Sequence, residues 1–263
     1  MSYETMRLDV QGGIAALTFT KAETGNPING SFCRDLYDVA VDLSERSDVR
    51  AVLIRAEGRA FGYGGDIAGF LPRLDELPRL MKQWTGDFHT GILRLQRLDA
   101  PIVVAVHGVC AGGMVALAAG ADFVLASDRA RFVSAYSGIG LACDGGASLS
   151  LVHRMGRSHT RRFLILNETW DAAAAARAGL VDEVLEGDEA LAARAEELAR
   201  QIATGPTRAI GEIRRLLRLS GEVPAEAQME AEAQAMARAA ASADAREGIT
   251  AFAQKRQPVF TGK

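Results

Sequence analysis

The sequence predicts an α/β fold in which helices cover a largely parallel sheet, followed by a helical C-terminal region. Short apolar runs alternate with helical patterns in the first part of the chain, as in successive strand–helix–strand units. Beyond residue 185 the strand signals stop and only helical patterns continue. We therefore expect a core over residues 1–187 and a helical region over residues 188–263.

Length and composition are those of an ordinary globular protein. The 263 residues are 48% hydrophobic and 24% charged, which argues against disorder. The formal net charge is -3 and no basic block stands out, so nothing indicates nucleic-acid binding. The first ten residues lack the basic and apolar segments of a signal peptide, and the three cysteines form no CxxC pair. The expected location is a reducing cytoplasm.

The N-terminal elements are a hairpin followed by a strand–helix–strand unit. Two short strands over residues 8–20 are interrupted at Gly12-Gly13, which is a hairpin signal. Apolar residues then recur at helical spacing over 32–46, and residues 51–54 form a short apolar strand. This alternation is typical of a sheet covered by helices.

Residues 102–121 contain no acidic residue, lysine or arginine, and this length matches a membrane span. The first five residues are mostly β-branched, Gly112 and Gly113 interrupt the middle, and helix formers follow from residue 114. A buried strand, a glycine loop and a buried helix explain this order better than a membrane span.

Further helical and strand patterns complete the chain. Residues 84–95 show helical spacing, and residues 123–126 predict another strand. Helices of the C-terminal region are expected at 188–203, 206–219, 224–240 and 244–256.

Several motifs that bind cofactors are missing from the sequence. Neither GxGxxG nor the phosphate-binding GxxxxGK[ST] occurs, and the four histidines show no metal-ligand spacing. We therefore expect neither a metal nor a dinucleotide or redox cofactor.

Two glycine junctions are candidates for anion binding. Gly113 is expected at the start of a helix, where free N–H groups face outward, and Gly64-Gly65 forms a similar junction before residue 66. Two N–H donors from separate loops can form an oxyanion hole if they meet at one point. The alternative is that these glycines only allow tight turns.

Six segments of the sequence, two of which contain the glycine junctions, match a known family. They are NPIN at 26–29, AFGYGGDI at 60–67, AVHGVCAGG at 105–113, IGLACDGG at 139–146, AARAGLVDEV at 175–184 and REGITAFAQKRQPVF at 246–260. Together they resemble the enoyl-CoA hydratase/isomerase family, also called the crotonase family. The resemblance implies a crotonase (ClpP/crotonase-like) fold with repeated ββα units. It also implies an acyl-CoA substrate, and a C-terminal helical region that forms a homotrimer or a hexamer.

The resemblance also assigns catalytic groups. Gly65 and Gly113 match the two residues whose N–H groups bind the thioester carbonyl in this family. Ala116 and Tyr136 stand where the hydratases have two glutamates, so hydration by the usual route is not expected. Asp144 matches an aspartate of the isomerase and dehalogenase branches, and a single carboxylate can move a proton between two carbons.

Four activities stay open at this point. The segments around Asp144 and the C-terminus look most like the ring-epoxide isomerase of phenylacetyl-CoA breakdown, which favours an isomerase. His89, Tyr136 and Asp144 also match a histidine, a tryptophan and the nucleophilic aspartate of the 4-chlorobenzoyl-CoA dehalogenase branch. Hydration by an atypical route and non-catalytic acyl-CoA binding are the other two.

Contacts to coenzyme A are also carried over from the family. Phe252 and Lys255 match a phenylalanine and a lysine of the last helix, which often reach the nucleotide of a neighbouring subunit. The other expected coenzyme A contacts are Tyr63, Gly64, Asp66 and Ile67.

Overall fold

The computed structural model describes residues 3–263. Its strands are β1 Met6–Gln11, β2 Ile14–Phe19, β3 Ala51–Ala56, β4 Ile102–Val106, β5 Val109–Ala111, β6 Phe123–Ser127, β7 Arg131–Val133, β8 Thr169–Asp171 and β9 Glu183–Leu185. The larger sheet has the order β1-β2-β3-β4-β6-β9, and the smaller one has the order β5-β7-β8. In the larger sheet β1 and β2 are antiparallel and all other neighbours are parallel.

Within the described residues, ten α-helices surround these sheets or extend from them. They are α1 Gly30–Ser44, α2 Ile67–Phe70, α3 Leu77–Gln96, α4 Gly113–Ala119, α5 Ala147–Ile165, α6 Ala172–Ala178, α7 Gly187–Ala203, α8 Thr207–Leu219, α9 Ala225–Ala240 and α10 Ala243–Ala253. Short 3₁₀ segments lie at Ala22–Thr24, Leu71–Glu76 and Ser137–Ile139. Within residues 3–263 no helix is long and apolar enough to cross a membrane.

The structure confirms most of the predicted elements. The hairpin turns at Gly12-Gly13, and the uncharged segment 102–121 contains the predicted strand (β4), glycine junction and helix (α4). It also contains the short strand β5, which was not predicted. The four helices predicted beyond residue 187 correspond to α7–α10. The small second sheet was missed, because β5, β7 and β8 have only three residues each.

Both faces of the parallel sheet are buried, which explains its continuous apolar strands. Val52, Val104 and Val124 point to the face that α1 and α3 cover. The alternate residues of the same strands, such as Leu53 and Val103, pack against the apolar side of α7. Helix α7 thus completes the sheet's second face, although it lies in the predicted C-terminal helical region.

A buried arginine ties the C-terminal helices to the sheet. Arg214 on α8 is 7% exposed, and its guanidinium contacts Asp122 at 2.8 Å. It also donates to the carbonyl oxygens of Leu98 and Ala100, at the loop that precedes β4. One side chain therefore satisfies three acceptors that belong to two segments of the core.

We expect Arg214→Met to lower the free energy of unfolding by about 3 kcal/mol, because Asp122 and two carbonyl oxygens lose their donor. Urea denaturation followed by circular dichroism would measure the loss. Arg7→Met is the matched control, because the salt bridges of Arg7 to Asp9 and Glu57 are exposed at the surface. Equal midpoints for the two variants would contradict the structural role of Arg214.

Candidate active site

A cavity of about 360 Å³ lies where the two glycine junctions meet helix α3 and the loop that precedes α5. Its walls are mostly apolar, and Phe70 and Trp84 form one side with ring centroids 5.6 Å apart. Asp144 is the one acidic side chain among the described residues that line it. A charged group in such surroundings interacts more strongly with its neighbours than it would in water.

The two glycine junctions contact each other through their backbones. A Cβ atom on Gly64 would lie 2.9 Å from the carbonyl oxygen of Ala111 and 3.6 Å from Cα of Gly112. Both Gly64 and Gly112 also have positive φ, at 82° and 54°. A side chain at Gly64 would therefore separate the two segments, and glycine is required there.

The N–H groups of Gly65 and Gly113, one from each junction, have no acceptor among the described residues. Hydrogen bonds from the Ile28 N–H to the Gly64 carbonyl and from the Asp66 N–H to the Ile28 carbonyl fix the first junction. Gly113 is the first residue of α4, where the backbone N–H has no partner within the helix. Neither the Gly65 nor the Gly113 N–H donates a hydrogen bond within residues 3–263. Both residues line the cavity, as an oxyanion hole requires.

The carboxylate of Asp144 lies beside the second of these donors. A Cβ atom on Gly113 would be 3.5 Å from Oδ1 of Asp144. The Tyr136 hydroxyl donates to the same oxygen at 2.9 Å, and Tyr136 also lines the cavity. Ala135, directly before Tyr136, has a φ of 60°, which is unfavourable for a residue with a side chain. The structure therefore joins the predicted residues Gly113, Tyr136 and Asp144 in one cluster.

Opposing effects set the protonation of this carboxyl. Burial raises the pKa of Asp144 above its usual 3.8, while the hydrogen bond from Tyr136 acts to lower it. Burial and the negative charge of Asp144 also raise the pKa of Tyr136, so its hydroxyl keeps its proton and stays a donor. The net result is a carboxyl that holds a proton more tightly than an exposed aspartate.

His89 is not among the described residues of the cavity wall. Its Nε2 accepts a hydrogen bond from the Gly145 N–H at 2.9 Å. Ala116, at one of the hydratase glutamate positions, is fully buried beneath the same turn. A Cβ atom on Gly145 would be 2.9 Å from that of Ala116.

The residues predicted to contact coenzyme A lie at different distances from the cavity. Tyr63, Gly64 and Ile67 line it, with Tyr63 and Ile67 about half exposed at its edge. Asp66 instead caps α2 by accepting the Gly69 N–H at 2.9 Å. Phe252 on α10 is 87% exposed. Lys255, just beyond α10, is also exposed.

Several residues of the cavity wall have no signal in the sequence that marks them as such. These are Cys33 on α1 and Met81, Trp84, Thr85 and Phe88 on α3. The spacing of the four α3 residues indicates only that one side of this helix is buried. Nothing local shows that part of this side faces a cavity.

The family model described as enoyl-CoA hydratase/isomerase matches residues 9–263. The protein belongs to this family and is an enzyme of its acyl-CoA-converting class. Within residues 3–263 no three His, Cys, Asp or Glu side chains converge as metal ligands.

Individual relatives differ in the reaction that they are named for. The chain is 32% identical to the 1,2-epoxyphenylacetyl-CoA isomerase of Escherichia coli K12 over 97% of both chains. It is 30% identical to the probable enoyl-CoA hydratase of Rhodobacter capsulatus over 100% of both chains. The enoyl-CoA hydratase/isomerase structure from Cupriavidus metallidurans CH34 matches with a TM-score of 0.90 at 28% identity, covering 100% of this chain and 98% of that one. These likenesses confirm the crotonase fold.

The cysteines provide a test of the site's burial. Burial, followed by the negative charges of Asp144 and Asp87, raises the pKa of the Cys33 thiol to about 12. Cys110 is fully buried, whereas Cys143 is only half-buried. We therefore expect iodoacetamide at about pH 8 to alkylate Cys143 alone in the folded protein, since the thiolate is the reactive form.

Peptide mass spectrometry would locate the modified thiols. The same reaction in denaturant is the control and must label all three. Labelling of Cys33 as fast as Cys143 in the folded protein would contradict the burial described here.

Proposed function

We propose that the protein is an isomerase that moves a proton, and with it a double bond, in an acyl-CoA thioester. The position of Asp144 supports this most directly: one carboxyl lies beside the free N–H of Gly113 in an otherwise apolar cavity. Such a pair of groups can stabilise an enolate and exchange its proton.

In the first step the thioester carbonyl oxygen accepts hydrogen bonds from the N–H groups of Gly65 and Gly113. The carboxylate of Asp144 then takes a proton from the carbon next to the carbonyl. The electron pair of the broken C–H bond moves onto the carbonyl oxygen and forms the enolate. Each donor is expected to stabilise this oxyanion by about 3 kcal/mol, as in other oxyanion holes.

In the second step the protonated Asp144 returns its proton to another carbon of the conjugated enolate. The electron pair re-forms the thioester carbonyl, and the double bond shifts. Asp144 ends as a carboxylate, so no further acid is consumed. Its raised pKa suits the first step, because a more basic carboxylate takes a proton from a weakly acidic carbon at a lower free-energy cost.

Binding of the coenzyme A part is proposed to use the edge of the cavity and the C-terminal region. Tyr63 and Ile67 offer half-exposed apolar surface at the edge. Phe252 and Lys255 would contact the nucleotide in a homotrimer or hexamer. The proposed oligomer would also cover exposed apolar side chains of the C-terminal helices, including Met236 and Ile249.

A hydrolytic reaction with Asp144 as nucleophile is supported less well. It needs a base that activates water, and His89 is the histidine that the sequence offers for this role. Its Nε2 already accepts the Gly145 N–H.

The usual hydration route is disfavoured because Ala116 and Tyr136 replace both glutamates.

Deuterium exchange tests the proposal without knowledge of the acyl group. In deuterated buffer we expect the enzyme to introduce deuterium into a saturated, 3-enoyl or aryl-acetyl CoA thioester, as read by mass spectrometry. Asp144→Asn should slow this exchange by about 10³-fold, because the carboxylate that takes the proton is lost.

Asp87→Asn is the matched control, since Asp87 is close enough to influence Cys33 but is absent from the described cavity wall. It should exchange at the wild-type rate. Full exchange in Asp144→Asn would refute the assigned base. Thioester binding without exchange in the wild-type protein would favour the non-catalytic or the hydrolytic alternative.

The pH profile gives a second test. The Tyr136 hydroxyl stabilises the charged form of Asp144, so Tyr136→Phe should raise the pKa of Asp144 further. Because Asp144 must be ionised to take a proton, the acid limb of kcat/KM should move to higher pH. Exchange rates measured between about pH 4 and pH 8 would show the shift. A limb that stays in place or moves to lower pH would contradict the proposed hydrogen bond.

A further inference from the structure

Asp144 precedes a turn with an unusual backbone. The next two residues, Gly145 and Gly146, have φ values of 61° and 80°, and the Ala147 N–H closes the turn on the Asp144 carbonyl at 2.9 Å. Helix α5 begins directly afterwards. The direction of the Asp144 side chain therefore depends on how this short turn is held.

Helix α3 holds the turn with two consecutive residues. A Cβ atom on Gly145 would be 2.8 Å from the Phe88 ring, and one on Gly113 would be 3.4 Å from the same ring. Phe88 thus lies between the oxyanion residue and the turn, and fixes how closely they approach. Packing of this kind does not by itself fix the orientation of the peptide planes in the turn.

The hydrogen bond from the Gly145 N–H to His89 Nε2 supplies that directional contact. The accepting nitrogen needs a free lone pair, so this imidazole is neutral and carries its proton on Nδ1. The peptide that contains this N–H is the one that links Asp144 to Gly145. Fixing its plane fixes the Cα of Asp144, from which the carboxyl extends to accept the hydrogen bond of Tyr136.

We propose that His89 is a positioning residue, whose Nε2 binds the Gly145 N–H and so keeps the Asp144 carboxylate beside the Gly113 donor. This inference rests on the proposed function, in which Asp144 moves the proton. His89 then touches neither the thioester nor water in the reaction. Its effect on the rate passes through Asp144.

Two substitutions separate this role from a proton-transfer role. His89→Gln retains an acceptor, because the amide Oε1 can reach where Nε2 lies, while His89→Leu fills similar space without one. We expect His89→Leu to lower kcat by about 100-fold with little change in KM, since a small misplacement of a catalytic group has this effect. The kcat of His89→Gln should be at least about tenfold higher than that of His89→Leu. Equal losses in both variants, or no loss in either, would overturn the proposal.

Amide hydrogen exchange tests the contact without any catalysis. The Gly145 N–H should exchange slowly in the wild-type protein and in His89→Gln, and quickly in His89→Leu. In ¹⁵N-histidine spectra, the His89 signals should show a proton on Nδ1 and none on Nε2. A protonated Nε2, or equal Gly145 exchange in all three proteins, would refute the contact.

The two sets of measurements also separate the two proposals. If the wild-type protein exchanges no thioester proton, the proposed function fails, and the Gly145 amide exchange then decides whether His89 holds the turn. Thermal denaturation of both variants shows whether a loss of kcat comes from misfolding.

Discussion

The close approach of two backbone segments is the constraint on which this site depends. Gly64 and Gly112 touch without side chains between them, and this brings the N–H groups of the following residues, Gly65 and Gly113, to one cavity. Main-chain donors cannot rotate away as side chains can, so their direction is set before a ligand arrives. Such preorganisation is what makes an oxyanion hole effective, because little reorganisation is needed during the reaction.

The rest of the structure supports this contact from both sides. The second junction lies at the end of β5 in the smaller sheet, directly before α4. Helix α7 packs on the larger sheet, whose strand β4 leads into β5. Helix α3 packs against α1, and its Trp84 ring approaches Gly30 so closely that a Cβ there would be 2.9 Å from Nε1. The same helix presents Phe88 to Gly113 and to the turn after Asp144. The packing of α3 therefore contributes both to the stability of the fold and to the geometry of the site.

The sequence predicted features that depend on neighbouring residues. Gly12-Gly13 and Gly112-Gly113 were placed correctly because a turn or a helix start has a local signal. The resemblance to the family supplied Asp144 and Tyr136, which the structure joins by a hydrogen bond. The family resemblance and the fold are confirmed, while the reaction and the roles of these residues stay predictions.

Features that depend on distant segments could not be predicted. The smaller sheet pairs β7 with β8, which lies more than thirty residues further along the chain, and each strand is too short to give a periodic signal. The ring pair of Phe70 and Trp84 arises from the contact of two helical segments. The contact of His89 with Gly145 spans 56 residues and uses a main-chain N–H, which no side-chain pattern reveals.

The burial of Ala116 has a consequence for how activities can change within this fold. Its methyl group is fully enclosed and contacts the turn after Asp144, so a glutamate there would displace that turn or the Phe88 ring. A site with two glutamates, as in the hydratases, would therefore need several substitutions at once. The N–H groups of Gly65 and Gly113 belong to the main chain, so they keep their direction as long as Gly64 and Gly112 stay in contact. Packing around Ala116 instead restricts where a further carboxylate could be placed.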